Sequence, residues 1–326
     1  MRRRDAIATL IALGLTTGSY AAPPLGRAPV RIGMLPKMWE GHVALFRQAM
    51  LERGWKEGTH YRLLREDFRG ELHEEAEAIV AARPDLIWVA NTGYALAAFQ
   101  RTKTIPIVMF VTGFPVEAGL AKSLARPGTN VTGNAGYAGI GIFGKLFELL
   151  REAKPGVARI GVLWSSVPPA HPVAEIEPCY REMRDAVRRM GVQVQIEEIA
   201  RQEQLAPALE ALRSNGIDGL FITSGPGLWN EAKRLMQFAT ENRLPTVADW
   251  PWYSDLYPLI TYSPTWRELV WQSVAYVDRI LNGEKPGALP LQQPSKFELI
   301  LNARTAQAIG LRLPSSLLLR ADRVIE

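Results

Sequence analysis

Short apolar runs alternate with longer segments of helical periodicity over most of this 326-residue chain. The first such pair is an apolar run at 30–35 and a helical pattern at 43–51. Further strands are predicted at 61–64, 86–90, 107–111, 160–164, 192–199, 219–223 and 259–262. Most of these runs are continuous, which is typical of strands covered on both faces in parallel sheets with right-handed helical crossovers. The pattern therefore predicts an α/β fold built on doubly wound parallel sheets.

The alternation is interrupted near 126–130, and a second series begins with a helix predicted at 143–153 and the strand at 160–164. Because the roughly 300 residues of a mature chain exceed what one hydrophobic core usually serves, we expect two similar lobes. A helix predicted at 266–281 carries an apolar stripe and ends at Asn282-Gly283, which is typical of a packed crossover helix.

The first 21 residues have the pattern of a secretory signal, with arginines at 2–4, an apolar run at 6–15 and small residues at 19–21. We predict cleavage near Ala21 or Ala22 and a periplasmic location for the mature protein. The paired arginines leave the twin-arginine route and the ordinary secretory route both open. The apolar run is too short to span a bilayer, and no cysteine follows it to carry a lipid, so we expect no membrane anchor.

Composition argues against two further classes of protein. The net charge of +5 is not gathered into a dense Lys/Arg stripe with interleaved aromatics, so nucleic acid is not an expected partner. The single cysteine, Cys179, cannot form an intramolecular disulfide, and it shares a helical stripe with Met183 and Val187. This spacing predicts a small buried hydrophobic side chain rather than a nucleophile.

The glycine-rich stretch at 139–145 matches parts of two nucleotide-binding motifs and completes neither. Leu146 stands where a phosphate-binding loop has Ser or Thr. A dinucleotide site needs an acidic residue about twenty positions on, where this chain has Trp164-Ser165-Ser166. We interpret the stretch as the start of the second lobe's first helix.

No histidine or serine pattern points to catalysis. The four histidines, at 42, 60, 73 and 171, include no pair at metal-ligand spacing, and no Gly-x-Ser-x-Gly motif is present. We therefore expect no metal, no cofactor and no catalytic residue, although sequence leaves open a triad assembled in space.

The loops that follow the predicted strands carry distinctive polar residues. Open α/β sheets bind ligands at the carboxyl ends of their strands, so these loops are the candidate site. Asn91-Thr92-Gly93 opens a helix whose free N–H groups could hold a carboxylate, while Thr92 could equally act only as a helix cap. Thr112-Gly113-Phe114 and Ser224-Gly225 follow two other strands.

Aromatic residues crowd the stretch around Asp249. They are Trp250, Trp252, Tyr253, Tyr257 and Tyr262. Such a density fits a flat apolar ligand or a cation, and core packing is the alternative interpretation. A buried carboxylate at Asp249 needs a partner, which a ligand ammonium would supply. Trp266 we assign to helix packing.

Four stretches, at 119–133, 276–283, 296–299 and 311–326, resemble the ABC-transporter substrate-binding proteins of the tryptophan-binding type. The resemblance covers essentially the whole mature chain. It implies a type I periplasmic-binding fold, with crossing segments near 131–133, 259–262 and 289–293. The implied lobes are 28–132 with 263–290, and 133–262 with 291–326. Relatives commonly read Asp-Pro-Val where this chain has Phe114-Pro115-Val116, so the site is expected to be more apolar than the family norm.

These observations predict a soluble, monomeric receptor that captures a small organic solute by hinge closure and presents it to the transmembrane subunits of an ABC permease. The preferred ligand is an amino acid or a related carboxylate with an aromatic or apolar body. An extracytoplasmic sensor subunit and an exported α/β enzyme are the alternatives. The residues expected to bind the ligand are Pro36, Asn91, Thr92, Gly93, Thr112, Gly113, Phe114, Tyr137, Trp164, Ser165, Ser224, Gly225, Asp249, Trp250 and Tyr262.

Overall fold

Two sheets organise the protein, as seen in a computed structural model that describes residues 28–35, 40–65, 72–136, 141–166, 173–223, 225–250 and 258–326. The predicted signal segment lies outside these residues. Both sheets consist mainly of parallel strands with intervening helices, so the predicted α/β class is confirmed. No helix in the described ranges is both long and apolar enough to cross a bilayer.

The first sheet is fully parallel and has the strand order β2-β1-β3-β4-β5. Its strands are β1 (Val30–Leu35), β2 (Tyr61–Leu64), β3 (Leu86–Val89), β4 (Ile107–Thr112) and β5 (Val131–Ala135). Three helices connect them, α1 (Glu40–Glu52), α2 (Leu72–Ala81) and α3 (Thr92–Arg101). The apolar runs that predicted β1 and β3 are buried along most of their length, as strands covered on both faces must be.

The second sheet has the order β12-β11-β10-β9-β8-β6-β7, with β11 antiparallel to β10. Its strands are β6 (Arg159–Ser165), β7 (Gln193–Ile199), β8 (Gly219–Ile222), β9 (Thr246–Ala248), β10 (Ile260–Pro264), β11 (Phe297–Asn302) and β12 (Arg323–Ile325). Its helices are α4 (Ile142–Ala153), α5 (Val173–Met190), α6 (Leu205–Ser214), α7 (Pro226–Trp229), α8 (Ala232–Glu241), α10 (Ala303–Ala308) and α11 (Ser315–Leu318).

Helix α9 (Trp266–Leu281) follows a strand of the second sheet but packs on the first. It lies against α1, β4 and β5. Two buried hydrogen bonds fix it there, from Trp88 Nε1 to Ser273 Oγ at 3.0 Å and from Trp55 Nε1 to Asp278 Oδ1 at 2.8 Å. We call the first sheet with α1, α2, α3 and α9 the first lobe, and the second sheet with its helices the second lobe.

The segment after α9 runs along β5 before it enters the second sheet. Gln292 accepts a hydrogen bond from Ala135 N–H at 2.7 Å and donates one to the Gly133 carbonyl at 3.0 Å. Gly133 has a φ of 125°, and a Cβ there would lie 2.3 Å from the Met109 carbonyl oxygen, so only glycine fits. The lobe boundaries inferred from sequence stay a prediction, and the sheets place 131–135 in the first and 260–264 in the second.

Chain order reverses once within each sheet. In the first sheet β2 and β3 lie on opposite sides of β1, and in the second β7 and β8 lie on opposite sides of β6. A crevice therefore opens at the carboxyl ends between β1 and β3, and another between β6 and β8. These two switch points are where a doubly wound sheet places its ligand.

The buried position of Cys179 agrees with the apolar stripe predicted from the sequence. Cys179 is 1% exposed and packs in the same cluster as the buried Met183, so the prediction of a buried hydrophobic side chain is confirmed. In the glycine-rich stretch, Gly141 takes a φ of 63° as the N-cap of α4. Among the described residues, no group of three or more His, Cys, Asp or Glu side chains could hold a metal ion.

Candidate functional site

The switch point of the first sheet is built around the start of α3. Asn91 is the N-cap, because its side chain accepts the Tyr94 N–H at 3.1 Å. Thr92 is 1% exposed, and its Oγ1 accepts the Gly113 N–H at 3.1 Å, which ties the end of β3 to the end of β4. The capping role considered for Thr92 is therefore wrong, since the neighbouring Asn91 performs it.

The cap leaves donors available at this switch point. The Thr92 and Gly93 N–H groups precede the capped Tyr94 N–H in the first helical turn, and they find no acceptor among the described residues. The Thr92 hydroxyl proton is also free to donate, because its oxygen is the acceptor in the bond to Gly113. The positive end of the α3 dipole adds to this attraction for an anion.

The ends of β4 and β5 support this turn. Thr112 Oγ1 donates to the Asn134 carbonyl at 2.6 Å, so its hydroxyl proton serves the join between β4 and β5. Asn134 in turn donates from Nδ2 to the Phe110 and Leu269 carbonyls, at 2.9 and 2.8 Å. Phe114 is 6% exposed. These contacts make the floor of the first lobe's site rigid.

The switch point of the second sheet brings Ser165 against Gly225. Ser165 N–H donates to Thr223 Oγ1 at 3.1 Å, and Thr223 Oγ1 donates to the Leu163 carbonyl at 3.0 Å. A Cβ on Gly225 would lie 2.3 Å from Ser165 Cβ, so the two residues are in direct contact. The preceding Trp164 packs with Phe143 of α4 and Tyr180 of α5, at ring-centroid distances of 6.3 and 5.5 Å.

Asp249 and Trp250 follow β9 at the same edge, and each is 3% exposed. The Trp250 ring stacks on Trp266, the first residue of α9, with centroids 4.9 Å apart and an interplanar angle of 26°. Trp266 then stacks on Phe110 of β4 at 5.5 Å and 30°. His42 of α1 meets Trp266 edge-on at 4.6 Å. We call Trp250, Trp266, Phe110 and His42 the aromatic column.

The aromatic column links the two lobes, because Trp250 follows a strand of the second sheet while the other three side chains belong to the first lobe. Burial lowers the pKa of His42 to about 4, so its imidazole is neutral at neutral pH. The column is therefore an uncharged and largely buried aromatic contact between the two lobes.

Sequence reasoning assigned Trp266 to helix packing and gave His42 no role. A signal for Trp266 was present, since it directly follows its N-cap Thr265 at the carboxyl end of β10. The structure does not bring Tyr262 to the column, because its ring stacks on Phe297 of the antiparallel neighbour β11 at 5.2 Å. Pro36, Tyr137 and Ser224 lie outside the described residues, as do Trp252, Tyr253 and Tyr257.

Two open grooves of about 710 and 530 Å³ lie elsewhere on the molecule. One is lined by Asn130, which precedes β5, and the other by Pro245, which precedes β9. Both are therefore at the amino ends of strands, away from the two switch points. The carboxyl edges remain the better candidate site, because ligands of open α/β sheets bind there.

Comparison with known proteins agrees with this architecture. The chain is similar to a tyrosine-binding protein of Clostridioides difficile (strain R20291), with 26% identity over 275 residues that cover 82% of this chain and 76% of the relative. It also resembles the ABC domain from Streptococcus pneumonia solved in complex with L-Trp, with 20% identity, a TM-score of 0.81, and coverage of 91% and 100% of the two chains.

A third likeness is to the ligand-free, open structure of a substrate-binding protein with adhesive properties from Clostridium difficile. The identity is 23%, the TM-score is 0.68, and the match covers 91% of this chain and 99% of the other. These likenesses establish the type I periplasmic-binding-protein fold that the sequence resemblance implied. Residues 46–325 match the family described as ABC transporter substrate binding protein, and the chain belongs to that family.

Proposed function

We propose that this protein is the exported receptor of an ABC importer, and that it binds an amino acid or a related aromatic or apolar carboxylate between its lobes. The observation that carries the proposal is the stack of Trp250 on Trp266, which joins the carboxyl edge of the second sheet to the first lobe through aromatic rings. Aromatic side chains of this kind bind flat apolar ligands well. The name of the Clostridioides difficile relative and the L-Trp complex of the solved structure support an aromatic amino acid.

The first lobe supplies the groups for the ligand carboxylate. The N–H groups of Thr92 and Gly93 and the Thr92 hydroxyl converge at the start of α3, where an anion is favoured by both hydrogen bonding and the helix dipole. The second lobe supplies Asp249 for the amine, because its carboxylate follows β9 directly beside Trp250. A charge-assisted pair of this kind is stronger than a neutral hydrogen bond.

Hinge closure is expected because the carboxylate contacts come from the first lobe and the amine contact comes from the second. A ligand favours the closed state only by as much as it binds that state better, so its contacts must come from both lobes. The chain superposes better on the L-Trp complex than on the ligand-free open structure, although its identity to the former is no higher. This difference supports a closed arrangement here. The predicted lobes at 28–132 with 263–290, and 133–262 with 291–326, are the bodies that would move.

The closed form would then dock on the transmembrane subunits of a permease, with the receptor exported as a monomer by its N-terminal signal. A sensor subunit would use the same cleft but pass the closed lobes to a signalling receptor. An enzyme would instead alter its ligand. Recovery of the ligand unchanged after long incubation, checked by NMR, separates the receptor from the enzyme.

Isothermal titration calorimetry tests the assignment of ligand groups. The ligands are L-tyrosine and 3-(4-hydroxyphenyl)propionate, which lacks the amine. Asp249→Asn is expected to weaken L-tyrosine by roughly 10- to 100-fold, because a charge-assisted hydrogen bond is lost, and to change the deaminated acid little. Glu241→Gln is the matched control, because Glu241 is exposed and ends α8, on the side of the sheet where β9 begins.

Two outcomes contradict different parts of the proposal. Equal losses for both ligands in Asp249→Asn would remove the amine role. If the wild-type protein binds no amino acid and no aromatic acid in a thermal-shift screen, the receptor function as stated is wrong.

A further inference from the structure

The hydroxyl of Ser165 is buried without a partner at the second switch point. The residue is fully buried, and its Oγ has no hydrogen-bond partner among the described residues. The Oγ atom of the neighbouring Ser166 is also buried and also has no hydrogen-bond partner among the described residues. A buried hydroxyl without a partner destabilises a protein. An apolar residue at position 165 would avoid this cost. The serine therefore does not serve the stability of the ligand-free protein, and another role has to explain it.

The surrounding backbone fixes where this hydroxyl lies. Ser165 N–H is held by Thr223 Oγ1 at 3.1 Å, and Ser166 N–H donates to the Ile199 carbonyl at 2.9 Å. A Cβ on Gly225 would lie 2.4 Å from Ser165 Oγ, so the serine occupies the space that a side chain at 225 would need. Gly225 has a φ of 170°, which any residue adopts. The glycine is therefore required by the contact with Ser165 and not by its backbone conformation.

The position of Ser165 in the sheet places it at the ligand crevice. It is the last residue of β6, and β6 and β8 flank the point at which chain order reverses. Asp249 follows β9, which is separated from β6 by β8 alone. The ends of β6 and β9 are thus about 10 Å apart at the usual strand spacing. A ligand whose amine reaches Asp249 can extend its side chain along the edge towards Ser165.

We propose that Ser165 Oγ binds a hydrogen-bonding group at the far end of the ligand side chain, with Ser166 beside it. The substrate class is then amino acids whose side chains end in a hydroxyl or a similar neutral polar group. Sites that hydrogen-bond a substrate hydroxyl discriminate strongly against the analogue that lacks it, because a buried polar group is then left unpaired. This assignment rests on the proposed receptor function, and it adds a polar end to the aromatic or apolar ligand body proposed above.

The test uses L-tyrosine and L-phenylalanine, which differ by one hydroxyl, in calorimetric titrations of the wild-type protein and Ser165→Ala. The wild type is expected to prefer L-tyrosine. Ser165→Ala is expected to weaken L-tyrosine by about tenfold and to leave L-phenylalanine unchanged, because only the former loses a hydrogen bond. Thr261→Val is the matched control, since Thr261 Oγ1 is also fully buried without a partner among the described residues but lies in the amino-terminal half of β10.

A second readout separates ligand binding from a structural role. The thermal midpoint of ligand-free Ser165→Ala is expected to equal or exceed that of the wild type, since an unsatisfied hydroxyl has been removed. A lower midpoint together with equal losses for both ligands would show a structural serine and overturn the inference. If the wild type binds both ligands with equal affinity and Ser165→Ala leaves both affinities unchanged, the role of Ser165 is wrong while the receptor function stands. Wild-type protein that binds neither would overturn the receptor function on which it rests.

Discussion

Trp250 and Trp266 stack at 4.9 Å between ring centroids, and this contact joins the end of β9 in the second sheet to the first turn of α9 on the first lobe. The contact extends through Phe110 into the core of the first sheet. Because Trp250 belongs to one lobe and Trp266 to the other, any change in the angle between the lobes changes the environment of both rings.

Replacing Trp250 by leucine is expected to weaken ligand binding by up to about tenfold. The variant loses the stack of Trp250 on Trp266, which joins the lobes, and a stacked aromatic pair contributes roughly 0.5–1.5 kcal/mol beyond its burial. The change in intrinsic fluorescence on ligand binding should fall in the same variant. Titrations followed by calorimetry and by tryptophan emission measure both effects.

The control is Trp271→Leu, on α9, the helix that begins at Trp266. Trp271 packs with Arg267 at 4.0 Å and donates to Glu52, away from the aromatic column. This variant should leave affinity unchanged. An equal loss of affinity in the two variants would show that the effect of Trp250→Leu is a general loss of packing and not a property of the aromatic column.

The contact between Ser165 and Gly225 predicts a specific steric coupling. Gly225→Ala should destabilise the protein by about 1–3 kcal/mol, as overpacking of a buried site usually does. In a Ser165→Gly background the same substitution should cost much less, because the colliding atoms are gone. Urea denaturation of the four proteins gives the coupling free energy. Additive effects would mean that the loop before α7 moves to accommodate the methyl group.

Long, strongly patterned elements could be predicted from sequence. The apolar stripe and the stop signal at Asn282-Gly283 predict the helix Trp266–Leu281 with its observed ends. Strand β1 was placed equally well from one continuous apolar run. The strand predictions missed β5, β9, β11 and β12. Strands β9 and β12 have only three residues each, too few to show a period.

The site was harder to predict because its parts are distant in the chain. His42 and Trp266 meet only because α1 packs against α9, a contact that no local pattern encodes. Asn91 and Thr92 are adjacent and both suit a helix cap, so the choice between them depends on where α3 begins. The crossing segments stay a prediction that comes from the family resemblance, because periodicity does not reveal them.

Stability is expected to fall in acid partly because of His42. Its pKa is lowered to about 4 in the folded state from an ordinary value near 6.5, so the unfolded chain binds the proton first as the pH falls. The contribution of His42 to the free energy of unfolding is then complete above pH 6.5 and falls by about 3 kcal/mol as the pH drops to 4.

Chemical denaturation across this pH range, compared between the wild type and His42→Phe, isolates the contribution. The difference in the free energy of unfolding between the two proteins should change between pH 6.5 and pH 4. The free energy of the variant should depend less on pH. His73→Gln, at an exposed position, should keep the wild-type profile. Parallel profiles for wild type and His42→Phe would mean that the buried imidazole accepts a proton without loss of packing.

The ends of two helices offer a last prediction. Helices α6 and α8 both have an asparagine C-cap, and the next residue is Gly216 in one and Arg243 in the other. Gly216 has a φ of 62° and Arg243 a φ of 50°, and both donate their N–H to the carbonyl three residues earlier. The left-handed conformation costs a residue with a Cβ roughly 1–2 kcal/mol and costs glycine almost nothing.

Arg243→Gly should therefore stabilise the ligand-free protein by about 0.5–1 kcal/mol, after the greater freedom of glycine in the unfolded chain is subtracted. Gly216→Ala should have the opposite sign and a similar size, since a Cβ there meets only the end of Arg159 at ordinary contact distance. Urea denaturation measures both, and neither residue lies near the switch points, so ligand affinity should not change. If Arg243→Gly lowers the free energy of unfolding, the contacts of the arginine side chain stabilise the protein by more than its left-handed backbone conformation costs.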